Sequence, residues 1–165
     1  MRFEAEIRYP ASPDAVGGML ADRSFVDRKC AATGAIRHTV DVQGDASGTF
    51  TVTTVRTMPT DDFPDVARTF VGDTVDIRQV DSWNAPSADG TRVGTITVEI
   101  TGAPLRLRGT LALANGGKGT VETVAGDLKA SVPIIGGKLE KAAEPALKAA
   151  IRSEERVGTQ WLSSR

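Results

Sequence analysis

Few side chains in this 165-residue chain have a type and a setting suited to chemistry. There is one histidine, His38, and one cysteine, Cys30. That count excludes multi-histidine metal sites, Cys-rich zinc sites and an internal disulfide. No metal or cofactor is therefore expected. His38 shares a strand face with Ile36, Val40 and Val42, which predicts that it points inward. Tyr9 does the same at the end of the alternating run Phe3, Ala5, Ile7. Glu154 falls one helical turn after Ile151 on an apolar stripe. A His, a Tyr and a Glu facing one cavity could exchange protons, because burial moves such groups toward neutral pH. The plainer alternative is that each ends its element with a polar tip in water or hydrogen-bonded. Nothing in the spacing brings the three together, so no catalytic residue is assigned.

Other candidates reduce to structural roles. Gln79 and Asp81 are in register with Val75, Ile77 and Trp83. A bulge near Val80 is predicted to turn both outward, since a buried carboxylate is costly. Arg56 follows Phe50, Val52 and Thr54 and could meet an anionic head, but exposure near the strand end is expected. Cys30 stands beside Lys29, which could lower its pKa. With no second Cys or His beside it, it reads as a small buried apolar residue. Gly116-Gly117-Lys118-Gly119-Thr120 resembles part of a phosphate loop. The full spacing is missing and a strand follows rather than a helix, so a hairpin turn is predicted.

The elements that would position these groups are legible from periodicity. Residues 2–9 alternate apolar and charged, a strand with one wet face. Ser12-Pro13-Asp14 supplies a cap, a first-turn proline and a dipole-complementing acid for a short helix to about Ala21. A second short helix runs from near Asp22 to Thr33-Gly34. Strands follow at about 36–43, 49–58, 73–83, 91–101, 105–114 and 120–132, rich in Thr, Val and Ile. Most connections are short Gly and Pro clusters, which join antiparallel neighbours. The exception is Pro59 to Gly72, predicted as a loop with one or two helical turns whose apolar side faces in. From Lys138 apolar residues recur at three and four, giving a long amphipathic helix kinked at Pro145.

A length of 165 residues predicts one domain over 1–165. The fold class expected is α+β: a curved seven-stranded antiparallel sheet, two short helices after the first strand, and a long C-terminal helix covering the apolar face. A curved sheet and a single helix touch along a line. The space between them is either plugged by large side chains or left open. Aromatics are only 5% of the chain and the helix stripe is mostly alanine. Small residues there allow an internal cavity, or equally a closer helix and a tight core. Candidate walls from the sheet and short elements are Phe25, Phe50, Phe63, Phe70, Trp83, Val98 and Leu111, with Phe3, Ile7 and Leu128. Leu147 and Ile151 face them from the long helix, and Tyr9, His38 and Glu154 are the polar candidates.

Three stretches carry a resemblance: Tyr9-Pro10-Ala11-Ser12-Pro13, Phe70-Val71-Gly72-Asp73-Thr74 and Val132-Pro133-Ile134-Ile135-Gly136-Gly137-Lys138-Leu139-Glu140. With the element order, they resemble a bacterial domain-of-unknown-function family in the START/polyketide-cyclase superfamily, the helix-grip fold of the birch-pollen allergen. The resemblance spans essentially the whole chain, and its motifs mark the fold rather than a catalytic site. It implies a cavity for a lipid, sterol-like, polyketide-like or similar ligand. Gly17-Gly18 departs from the bulkier residues usual there and costs the first helix about 2 kcal/mol relative to alanine. It reads as a frayed turn, or as a widened entrance beside Phe63 and Phe70.

The expected role is binding or transport of a small hydrophobic or amphipathic ligand. The rivals are a cyclase- or hydrolase-like enzyme using the same cavity and a partner-binding module with a collapsed interior. Lys and Arg number 20 against 21 Asp and Glu, a net charge of −1, so nucleic acid is not an expected partner. The first residues lack a secretory apolar core and no stretch suits a membrane span, so a cytoplasmic location is expected.

Overall fold

Alternation, pairing and register together build the concave wall of the molecule. The computed structural model describes residues 1–165. Its strands are β1 (Arg2–Tyr9), β2 (Arg37–Gly44), β3 (Phe50–Pro59), β4 (Thr74–Trp83), β5 (Arg92–Ile100), β6 (Leu105–Asn115) and β7 (Thr120–Ala130). They form one antiparallel sheet in the order β1-β7-β6-β5-β4-β3-β2. Chain neighbours are sheet neighbours throughout, except that β1 joins β7. The first strand therefore closes the far edge of a meander whose other edge is β2.

Register fixes which residues look inward. Phe50 pairs with Trp83, Val52 with Asp81 and Thr54 with Gln79. Leu107 pairs with Leu128, and Leu111 with Val124. Gly109 opposes Gly126 on the same face. A Cβ on Gly109 would come within 2.7 Å of Gly126 Cα, so only glycines permit this close approach.

Two helices follow β1: α1 (Pro13–Leu20) and α2 (Arg23–Ala32). Ser12 Oγ caps α1 through Ala15 N–H at 3.2 Å, and Asp22 Oδ1 caps α2 through Ser24 N–H at 2.8 Å. The Pro59–Gly72 connection contains α3 (Asp65–Val71), as its spacing predicts. Its base is tied by Thr60, which donates to Gly72 O and is almost fully buried. The last helix, α4 (Gly136–Ser163), begins two residues before the predicted Lys138 and carries Pro145 inside it.

Aromatic packing fills only one end of the interior. Phe25 meets Trp161 edge-on at 5.9 Å, and Phe50 stacks on Trp83 at 6.5 Å. Arg92 lies 5.2 Å above the Phe50 ring and donates to Ala46 O at 2.6 Å. Its guanidinium also explains Gly17. A Cβ there would stand 3.2 Å from Arg92 Nη2, and Gly17 is buried. Both sequence expectations for Gly17 are corrected: it is neither a frayed turn nor part of an entrance. Of the two neighbouring glycines, Gly18 is the one with open space around it.

Candidate functional site

Beyond the aromatic end, the sheet and α4 enclose a space of about 1090 Å³. Its walls are chiefly apolar, with Ile96, Val98, Leu107 and Leu111 on the sheet side and Ala143, Leu147 and Ile151 on α4. Pro145, Ala146 and Ala149 line it yet are exposed, as is Pro64 just before α3. The space therefore opens between α3 and the middle of α4. The alanine stripe leaves the room that larger side chains would have occupied.

A polar cluster interrupts this wall. Lys29 comes from α2, Arg56 from β3, Gln79 and Asp81 from β4, Glu122 from β7 and Glu154 from α4. Lys29 Nζ lies 3.4 Å from Glu154 Oε1, with side-chain exposures of 12% and 13%. Tyr9 Oη donates a long bond of 3.5 Å to the same oxygen. On the β3–β4 side, Arg56 Nη2 donates to Gln79 Oε1 at 3.4 Å. Gln79 Nε2 in turn donates to both oxygens of Asp81, at 3.1 and 3.0 Å.

Burial and mutual charge set the protonation of these groups. Burial pushes the Glu122 carboxyl well above the usual range, and the charges of Glu154 and Asp81 add to this against the pull of Lys29. Asp81 is raised by burial too, opposed by Lys29. Burial alone would lower Lys29, but Glu154, Asp81 and Glu122 outweigh it and hold the ammonium above its ordinary value. Burial and then Glu154 raise Tyr9 well above its ordinary value. The cluster thus keeps a firmly charged ammonium and a carboxyl that favours its proton. Such a set can orient a polar group or hold a proton at the wall of an apolar space.

The sequence-predicted residues divide cleanly. Phe63, Phe70, Val98, Leu111, Leu147, Ile151 and Glu154 line the space. Phe25, Phe50 and Trp83 do not: they are spent on the aromatic end. Tyr9 is buried behind the wall and meets it at Glu154 and beside Glu122. His38 lies on the inward face opposite Arg56, but β2 is an edge strand covered by α2. Its Nε2 meets Asp27 Oδ1 at 3.1 Å, away from the space. The His38–Tyr9–Glu154 constellation is therefore not assembled.

Two further expectations are corrected. No bulge occurs at Val80: β4 pairs without interruption with β3 and β5, and Gln79 and Asp81 face inward. Arg56 is buried rather than exposed, because β3 runs three pairs past it to Pro59. Cys30 is the small buried thiol expected, and burial pushes its pKa up against the opposing charge of Lys29. Sequence reasoning missed Glu122 and Lys29. Glu122 alternates with Thr120, Val124 and Leu128, and Lys29 follows Phe25 by four and Val26 by three, so position marked both as inward. Their charge argued the other way.

The family model for DUF2505, described as a protein of unknown function, matches residues 4–162. The chain belongs to that family. A curated relative, the uncharacterized protein Rv0481c of Mycobacterium tuberculosis H37Rv, is 24% identical over 98% of this chain and 97% of its own length. Among solved structures, the ZhuI aromatase/cyclase from Streptomyces sp. R1128 superimposes with a TM-score of 0.54 at 15% identity, covering 96% of this chain and 93% of the other. The STAR-related lipid transfer protein from Xanthomonas axonopodis gives 0.52 at 16%, covering 94% and 85%. At such identities the likeness is one of fold alone: the helix-grip fold, a curved antiparallel sheet around a long C-terminal helix. No helix of the chain is long and apolar enough to cross a membrane.

Proposed function

We propose that this DUF2505 member binds a small hydrophobic or amphipathic molecule in the space beneath α4. The observation that carries this reading is the apolar space of about 1090 Å³, which aromatic packing leaves open. Pockets that take drug-sized ligands measure roughly 300–1,000 Å³. Binding would be driven by burial of apolar surface at about 25 cal/mol per Å², with the polar cluster setting orientation. The fold neighbours whose names specify aromatase/cyclase and lipid transfer are compatible with it.

The test is a Nile red titration of the wild type and of Ala150→Trp, a substitution that puts an indole into the space from α4. Fluorescence should rise and saturate with wild type and be lost in the folded variant. No response from wild type, or equal responses from both, overturns the reading. A cyclase- or hydrolase-like activity in the same space is favoured by one observation, the convergence of Lys29, Asp81, Glu122 and Glu154 on its wall. That reading requires turnover of a bound polyketide-like substrate, with loss of turnover in Glu122→Gln.

A further inference from the structure

Seven residues of the chain hold a positive φ, and six of them are glycines. The seventh is Ile134, at φ 72°, in the turn between β7 and α4. Ile135 N–H donates back to Pro133 O at 2.8 Å, which with that φ makes the rare, strained form of the three-residue turn. A β-branched side chain is poorly suited to this backbone, which glycine or asparagine holds at little cost. Packing does not offset the strain: Ile134 is fully exposed, and Pro133 beside it is exposed too. Ile36 and Val93 are also exposed, but on ordinary backbone. The base of the turn is pinned. Ser131 N–H donates to Pro104 O at 2.8 Å, Gly136 N–H to Val132 O at 3.1 Å and Ala130 N–H to Glu140 Oε2 at 3.1 Å. A bulky apolar tip, held out on a fixed base against its backbone preference, is a feature that folding does not explain.

The charges around the tip say what it meets. Lys129, Lys138 and Lys141 are exposed, and none is in an ion pair. Lys129 lies close enough to act on the Glu140 carboxylate, and Lys138 and Lys141 stand in the first turns of α4. The neighbouring acids are matched elsewhere. Glu140 holds the Met1 ammonium at 3.1 Å, and Glu144 holds Lys148 at 3.8 Å. Glu99 stands opposite Arg106, and Asp127 between Arg108 and Arg2. Three lysines are left uncompensated around an apolar tip. That is the complement of an anionic bilayer, where negative head groups overlie an apolar zone.

We propose that the Pro133–Ile134 tip inserts into the surface of an anionic lipid bilayer while Lys129, Lys138 and Lys141 engage its head groups. Pro104, tied to the base of the turn, lines the space beneath α4, so docking sets that rim of the space against lipid. The inference goes beyond the ligand-binding reading and does not depend on it.

The experiment is co-sedimentation with vesicles of phosphatidylcholine alone and of phosphatidylcholine mixed equally with phosphatidylglycerol. Wild type should bind the mixed vesicles, leave them in high salt and ignore pure phosphatidylcholine. Ile134→Asn should weaken binding about ten-fold, through loss of the apolar side chain. Its Tm should stay level or rise, because asparagine accepts the left-handed backbone. Lys138→Glu combined with Lys141→Glu should weaken binding by about ten-fold or more. No binding of wild type to the mixed vesicles, equal binding to both kinds, unchanged binding in Ile134→Asn, or a Tm lowered by that substitution overturns the proposal. Nile red uptake, measured without vesicles, should be the same in wild type and variants. Its absence in wild type fails the ligand-binding reading and leaves docking to be judged by the vesicles.

Discussion

Replacing Lys29 with methionine removes the one ammonium around which three carboxyl groups are arranged. Methionine keeps the length and much of the apolar stem, so the change isolates charge from packing. At the 3.4 Å separation from Glu154, Coulomb attraction at an effective dielectric near 20 amounts to about 5 kcal/mol before desolvation is subtracted. Removing one partner of a buried pair typically costs about 3–5 kcal/mol. The 12% and 13% exposures of these side chains face a space that water can enter, which favours the lower end, about 3 kcal/mol. The assay is urea unfolding at pH 7.5, with Lys29→Met, Glu154→Gln and the double variant closing a cycle. The double variant should be less destabilised than the sum of the singles. The loss in Lys29→Met should shrink at lower pH, where the carboxyls take up protons. A cost below about 1 kcal/mol, typical of exposed pairs, would refute the buried-pair reasoning.

Gly158→Ala tests how closely α4 seats on β1: the new Cβ would lie 2.4 Å from Tyr9 Cε1, on a ring with no room to retreat. Overpacking of about 1–3 kcal/mol should outweigh the helix gain of about 1 kcal/mol, so a lowered Tm is expected and a raised one would contradict the packing. Glu122→Gln should change the pH dependence of stability. The folded pKa of Glu122 is raised above its unfolded value, so its contribution is fully favourable below about pH 4 and is lost as pH climbs through the folded pKa. The stability of Glu122→Gln relative to wild type should therefore grow from pH 4 upward, read from urea midpoints. A gap that stays constant with pH means Glu122 is not a buried titrating group.

The sequence by itself determined the elements and their faces. Alternation in Phe3-Ala5-Ile7-Tyr9, the Gly and Pro punctuation between strands, and the three-and-four spacing after Lys138 are local signals. They place all seven strands and the helices to within a few residues. Only tertiary structure decided which inward residues share a space. Phe25 and Phe50 are as apolar as Phe63 and Phe70, yet the first two pack against Trp161 and Trp83 and the last two line the cavity. Periodicity says which way a side chain points, not what stands opposite. For charged residues the difficulty is sharper. A lone inward carboxylate is improbable on its own, so Asp81 argued for a bulge and Glu122 drew no notice. Lys29, Asp81, Glu122 and Glu154 come from four elements, α2, β4, β7 and α4. Each becomes tolerable inside only because the others are there, and that mutual compensation exists in three dimensions alone.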